Sequence, residues 1–463
     1  MNTTSISTKK TFNKNTLIFL IDIVLFFVLL HVLPFDIKAN RGLALLVFIA
    51  ILWLTEALHV TVTAILVPLL AITLDLITTK KALATFSDPT IFLFFGGFAL
   101  ATTLHYQKID RMIANKIMSL AGGNLWIAVI YLFSVTAFLS MWISNTATAA
   151  MMLPLAMGIL SQLNKEQNHN TYVFVLLGIA YSASIGGMGT PVGSPPNAIV
   201  VSNLGLTFSQ WLWYGIPTMV ILMPLMIGTL YIVFKPKLNL HFEQTFEKIP
   251  MTAERITTLA IFSFIAICWI LSSQLNPLLS GLFGMTEKIQ SFDSVIALLA
   301  AIALCITRVT TWKHIQENTD WGVLFLFGGG LTLSAVLKDS GASKILADGI
   351  VFAVQGGHFF VIGLLVATFI IFLTEFTSNT ASAALLVPIF ISIARSLGVP
   401  DTGLALIIGL GASCAFMLPV ATPPNAIVFG TGEVKQREMV QAGFILNVIC
   451  IFVIATIAYF LWL

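Results

Sequence analysis

A chain of 463 residues in which 58% are hydrophobic and only 9% charged, with a mean hydropathy of +0.97, has too little polar surface to face water as a globule of this size. The composition is that of a polytopic membrane protein with the lipid bilayer as its partner, and a net charge of +3 is too small for a nucleic-acid binder. Cys268, Cys305, Cys414 and Cys450 lie in apolar stretches without CxxC spacing, and the seven histidines form no HExxH-type pair. Disulfides, a metalloenzyme and an organic cofactor are therefore not expected.

The chain opens with Lys9, Lys10 and Lys14 ahead of an apolar run at 17–32, which predicts a cytoplasmic N-terminus. No small-residue cleavage site follows that run and it contains Asp22, so a retained helix is expected rather than a signal peptide. The sequon Asn2-Thr3-Thr4 falls on the cytoplasmic side and is incidental. Further runs, including 256–271 and 444–463, approach the roughly 20 residues that cross a bilayer core of about 30 Å. Helices rather than strands carry them. Residues 41–76 predict two spans separated near Thr55-Glu56, with Glu56 at an interface or facing protein in a structural role.

Three phrases then recur in one order. Asp88-Pro89 opens a span with Gly96-Gly97, and Asp320 opens another with Gly328-Gly329, a shift of 232. These glycines read as close helix packing. Residues 138–159, FLSMWISNTATAAMMLPLAMGI, return at 372–393 as FLTEFTSNTASAALLVPIFISI, so that Ser144-Asn145-Thr146 becomes Ser378-Asn379-Thr380 at a shift of 234. The same shift sets Ser140 against Thr374 and Met141 against Glu375. Pro-Pro-Asn-Ala-Ile-Val at 195–200 returns at 423–428, a shift of 228. The chain is an internal duplication.

The polar stretch 235–255, with Lys235, Lys237, Lys248 and Arg255, falls between the copies as a cytoplasmic linker. The expected organisation is a first segment and helix at 1–40, a first repeat at 41–234, the linker, and a second repeat at 256–463. If the Ser-Asn-Thr segments are re-entrant hairpins at about 125–163 and 357–398, about eleven helices remain, six before the linker and five after it. The C-terminus is then outside, with fifteen Lys and Arg on the inner side and eight on the outer. An odd number of helices per copy makes the repeats inverted, as in many secondary transporters.

The stretches around 172–202 and 403–430 predict broken helices. Gly186-Gly187, Gly189, Pro191, Gly193 and Pro195-Pro196 in the first, and Ala421-Thr422-Pro423-Pro424 in the second, are incompatible with a continuous helix. In lipid the freed backbone groups must face protein, water or ligand, which implies a cavity. Ser144 and Ser378 are good N-caps ahead of Ala-rich helix formers, so two helix N-termini would address one central volume, which suits an anion. Apart from Arg395, neither 125–163 nor 357–398 contains Lys or Arg, so cations should bind alongside. The oxygens on offer are the hydroxyls of Ser140, Ser144 and Thr374, the amides of Asn145 and Asn379, and carbonyls freed at Gly193 and Ala421. Neutral hard oxygens without a carboxylate cluster favour an alkali ion, most simply sodium. One such triplet alone would more often glue two helices together; finding it twice, each time followed by a proline break, favours a site. Glu375 is expected either near a sodium ion or at the hairpin's stem.

These triplets, the paired Pro-Pro-Asn segments and WLTEALHVTVTAILVPLL at 53–70 resemble the divalent anion/sodium symporter family, over essentially the whole chain. The resemblance implies an all-α homodimeric transporter with an elevator mechanism, not an enzyme. It implies that Ser144, Asn145, Thr146, Ser378, Asn379, Thr380, Thr422 and Pro423 bind the substrate. It places one sodium among Ser140, Ser144, Asn145 and Gly193, and a second among Thr374, Thr377, Asn379 and Ala421. The expected activity is sodium-coupled import of succinate-like C4-dicarboxylates (succinate, malate, fumarate) across a bacterial inner membrane. Carriage of a tricarboxylate, sulfate or another oxyanion, or sodium-independent exchange, is the alternative.

Overall fold

The computed structural model describes residues 14–241, 248–282, 284–354 and 358–462. Lys9, Lys10, the sequon at Asn2, positions 242–247 of the linker and Gly357 lie outside the described residues. Among the described residues the secondary structure is helical, with one isolated bridge between Asn124 and His241. Nine of these helices are long and apolar enough to cross a membrane, and six shorter apolar helices accompany them. Large side chains such as Leu17, Val24, Leu69, Ile232 and Phe460 are exposed around the perimeter, where lipid replaces water as the apolar solvent. The molecule is membrane-embedded and multi-pass.

The order of helices repeats as the sequence phrases do. Pro89–Tyr106 and Trp321–Asp339 both begin at a capping aspartate: Asp88 accepts from Thr90 N at 2.9 Å and Asp320 from Val323 N at 3.2 Å. Both are glycine-faced for the same reason. A Cβ at Gly96 would sit 2.4 Å from Ala297 O on Phe292–Ile306, and one at Gly329 would sit 2.5 Å from Ala64 O on Val60–Thr73. Only hydrogen fits between backbones that close.

Two helical hairpins follow the same scheme. Leu125–Ser140 turns at 141–144 into Asn145–Leu160, and Phe359–Thr374 turns at 375–378 into Asn379–Leu397. Each is followed by an interrupted helix. Lys165–Gly186 gives way to short turns at Gly187–Gly189 and Pro191–Gly193 and resumes as Pro195–Leu204. Asp401–Gly411 stops and resumes as Pro423–Phe429. Both resumed helices start on proline, whose missing N–H costs nothing in a first turn. Residues 171–194 are all buried, so this interruption sits in the middle of the bundle.

The four cysteines are unpaired. A pocket of about 480 Å³ lies where the end of Pro195–Leu204 meets the starts of Pro89–Tyr106 and Phe292–Ile306. Asp88, Ser202, Ser272, Lys288 and Asp293 are among its walls. There Ser202 Oγ donates to Asp88 Oδ1 at 3.2 Å, and Phe208 N donates to Asp293 Oδ2 at 2.7 Å.

Candidate functional site

Both hairpin turns and both helix interruptions face one cavity of about 820 Å³. Its walls include Ser144, Asn145 and Thr146 from the first turn and Thr377, Ser378, Asn379 and Thr380 from the second. Gly193, Ser194 and Pro195 from one interruption, and Ala421, Thr422 and Pro423 from the other, complete the central part. The volume falls in the range of about 300–1,000 Å³ usual for small-ligand sites.

The triplets are built alike because the turn chemistry is alike. Ser144 and Ser378 have extended backbones and cap the next helix, accepting from Ala147 N at 3.3 Å and Ala381 N at 3.4 Å. One first-turn N–H group of each helix is thereby satisfied, and both helix starts line the cavity. Thr422 caps Pro423–Phe429 in the same manner, accepting from Asn425 N at 3.3 Å. A helix start stabilises an anion by about 0.3–1 kcal/mol, whereas dehydrating an ion costs several. Two starts alone therefore cannot hold a dianion.

The oxygens for a cation lie just behind the triplets. Ser140 is fully buried, and its Oγ lies 2.7 Å from both Asn145 Oδ1 and Ala183 O. Thr374, also fully buried, repeats this: its Oγ1 lies 2.5 Å from Asn379 Oδ1 and 3.0 Å from Ala412 O. One hydroxyl hydrogen serves one acceptor well, so each trio of neutral oxygens is richer in lone pairs than in protons. Around Gly193 the crowding is backbone: a Cβ there would lie 2.5 Å from Gly187 O and 3.0 Å from Met141 O and Ser140 O. Carbonyls from the hairpin turn and the broken helix thus converge at a spot that only glycine leaves open. Such a donor set suits a monovalent cation.

The first expected sodium set is joined by direct contact between Ser140 and Asn145 and by the approach of Gly193 to the Ser140 carbonyl. Ser144 lies on the adjoining cavity wall. In the second set Thr374 and Asn379 touch. Thr377 donates instead to Leu373 O at 3.0 Å and pairs with Ser382 Oγ at 2.8 Å, while Ala421 shares the cavity wall with Asn379.

Three residues that sequence reasoning left without a role hold the frame. Asn197 Nδ2 donates to Gly187 O at 2.8 Å and Thr190 O at 2.7 Å, and Asn425 Nδ2 donates to Ala415 O and Leu418 O, both at 3.0 Å. The asparagine of each Pro-Pro-Asn phrase therefore reaches back to tie the interruption it follows. Its identity in both copies was the available signal. Glu375, fully buried where the second hairpin turns, accepts from Phe416 N at 2.7 Å, Met417 N at 2.9 Å, Leu418 N at 3.1 Å and Asn447 Nδ2 at 2.7 Å. It fastens the second interruption to its hairpin, directly after Thr374 of the expected second sodium set.

The cavity extends to the ends of Ile37–Thr55 and Pro89–Tyr106 and the start of Trp321–Asp339, where most of its lining residues are exposed and form its mouth. Glu56, His105, Tyr106, His314, Asn318 and Asp320 line it there, and no Lys or Arg is among its described walls. Glu56 ends its helix with a left-handed backbone, φ 49°, and is exposed on this wall.

Residues 10–463 match the family described as the sodium:sulfate symporter transmembrane region. An uncharacterized transporter of Haemophilus influenzae is 75% identical over 451 residues, spanning 97% of this chain and 98% of its own. The sodium-dependent dicarboxylate transporter SdcS of Staphylococcus saprophyticus is 32% identical over 487 residues, spanning 98% and 92%. Among solved structures, the Alcanivorax borkumensis YdaH transporter shares the fold with a TM-score of 0.58 at 12% identity, over 82% of this chain and 88% of that one. With a match over almost its full length, the chain belongs to the sodium:sulfate symporter family, the divalent anion/sodium symporters its sequence resembles, and is a membrane transporter.

Proposed function

We propose that the protein is a sodium-coupled secondary active importer of C4-dicarboxylates such as succinate, malate and fumarate. The observation that carries this reading is the meeting of both capped triplets on one cavity whose described walls hold no Lys or Arg, each backed by a buried cluster of neutral oxygens. The dicarboxylate transporter named above adds support from a relative. Ser144, Asn145, Thr146, Ser378, Asn379, Thr380 and Thr422 hold the two carboxylates through N–H, amide and hydroxyl donors, and Pro423 borders the substrate. Sodium ions, carried with the substrate, sit among Ser140, Ser144, Asn145 and Gly193 and among Thr374, Thr377, Asn379 and Ala421. More than two sodium ions per dianion would make the cycle electrogenic, which net charge movement in proteoliposomes tests.

In this reading the protein is an inner-membrane homodimer working as an elevator, with its N-terminus cytoplasmic and its C-terminus outside. The end of the cavity lined by His105, Tyr106 and His314 adjoins in sequence Lys108, Arg111, Arg308 and Lys313, residues that the charge bias assigns to the cytoplasm. The conformation described is then open to the inside. The test is uptake of labelled succinate by reconstituted protein, with and without a sodium gradient, against a panel of sulfate and citrate. Uptake that needs sodium and is competed by C4-dicarboxylates supports the proposal; sodium-independent exchange, or preference for sulfate, overturns it. The volume of about 820 Å³ also admits a tricarboxylate, which makes citrate the informative competitor.

A further inference from the structure

We infer that Glu56 and Asp320 form a repulsive wall at the cavity mouth that hinders return of the released dianion and so gives the carrier its sidedness; this rests on the transport reading above. The fixed charges lining the cavity are these two carboxylates, and both have the sign of the proposed cargo. Neither is ion-paired among the described residues. They belong to helices other than those bearing the triplets, and the two helix ends adjoin. Thr61 Oγ1 lies 2.7 Å from where a Cβ on Gly322 would stand, so the chain just after Glu56 meets the chain just after Asp320.

The other titratable groups on this wall do not cancel the charge. His105 Nδ1 is 2.7 Å from Asp110 Oδ2, so any positive charge on that ring is matched locally. His314 is edge-on to Tyr106 at 4.3 Å and 3.0 Å from Asn318 Nδ2. Helix geometry accounts for only part of the choice of residues. A serine caps a helix as well as aspartate, so the charge of Asp320 exceeds what its capping bond to Val323 requires. The left-handed position of Glu56 is met more easily by glycine or asparagine.

A dianion crossing such a mouth meets each carboxylate with twice the force felt by a single charge, while sodium is attracted. The effect is electrostatic steering with its sign reversed for the anion. At separations of about 8–10 Å, in largely aqueous surroundings at moderate salt, each carboxylate lowers anion occupancy about twofold to threefold. The wall therefore weakens binding from the mouth side and leaves binding from the opposite face untouched, where the mouth charges are remote.

The experiment uses the full chain in proteoliposomes and measures the succinate KM separately from each face. Glu56→Gln and Asp320→Ser remove charge while keeping bulk and cap respectively; Glu56→Asp keeps the charge. Each neutral variant is expected to lower the mouth-side KM about twofold to threefold at low ionic strength, and the double variant about fivefold. The opposite-face KM should hold, Glu56→Asp should match the unaltered protein, and the difference should shrink at high ionic strength. An unchanged mouth-side KM in both neutral variants, an equal change at both faces, or a change insensitive to salt overturns the proposal. Failure of the transport reading shows differently, as absence of sodium-dependent uptake by the unaltered protein in the same vesicles.

Discussion

Glu375 receives four hydrogen bonds, three at Oε1 and one at Oε2, and all four partners are donors. Glu375→Gln turns one acceptor oxygen into an amide that faces a donor, so at least one buried N–H is left unpaired at a cost of about 1–3 kcal/mol. The expected result is a lower thermal midpoint and weaker sodium dependence, read by thermal unfolding and by uptake at graded sodium; unchanged values for both would sink the clamp. Asn145→Ala and Asn379→Ala each remove an amide that touches a buried hydroxyl and faces the cavity. Uptake should be abolished or severely weakened while the protein still elutes as a folded species, and near-normal transport by both variants would refute the site. Gly193→Ala forces a methyl against three carbonyls, the nearest at 2.5 Å. At least a tenfold loss of sodium-driven uptake is expected, roughly the consequence of misplacing one oxygen of the cradle by an ångström.

At the scale of elements, the interruptions are the costly features and the Pro-Pro-Asn phrases manage them. Asn197→Ala and Asn425→Ala would each free two carbonyls, at about 1–3 kcal/mol of stability, and should lower sodium affinity before succinate affinity. A parallel loss of both affinities, or of neither, would count against a bracing role. The breaks themselves were legible in the sequence, because proline and glycine act on their own backbone. So were the caps, since Ser144 and Ser378 bond to N–H groups three residues on. The packing role of Gly96 and Gly329 was legible as well, although the partners Ala297 and Ala64 were not. Glu375 was ambiguous because its donors lie 41 to 72 residues away, three in the second interruption and one on Gln436–Ile457, and only the assembled bundle brings them together. The asparagines at 197 and 425 passed unnoticed because a repeated Asn beside two prolines reads as part of the turn, and nothing local says that it reaches backward.

For the whole molecule, duplication places two copies of one design on opposite sides of a shared hollow, yet the copies meet the solvent unequally. Trp142 of the first turn stacks against Phe208 and meets Phe262 edge-on, while its counterpart Phe376 is 73% exposed on the cavity wall. The large cavity reaches Asp320, and the smaller pocket holds its counterpart Asp88. If the carrier moves between two such states, a cysteine at Phe376 should be modified readily by a water-soluble thiol reagent and one at Trp142 slowly. Saturating sodium and succinate should shift the ratio between them, and identical rates under all conditions would speak against two states. Pro195–Leu204 touches both hollows: Pro195 borders the larger, and Ser202 borders the smaller, where it is latched to Asp88. Ten residues of helix make a stiff strut of about 15 Å. A displacement at its proline end would therefore reach the Ser202–Asp88 contact with little damping, and a link between the two hollows would need no signal through the lipid-facing shell.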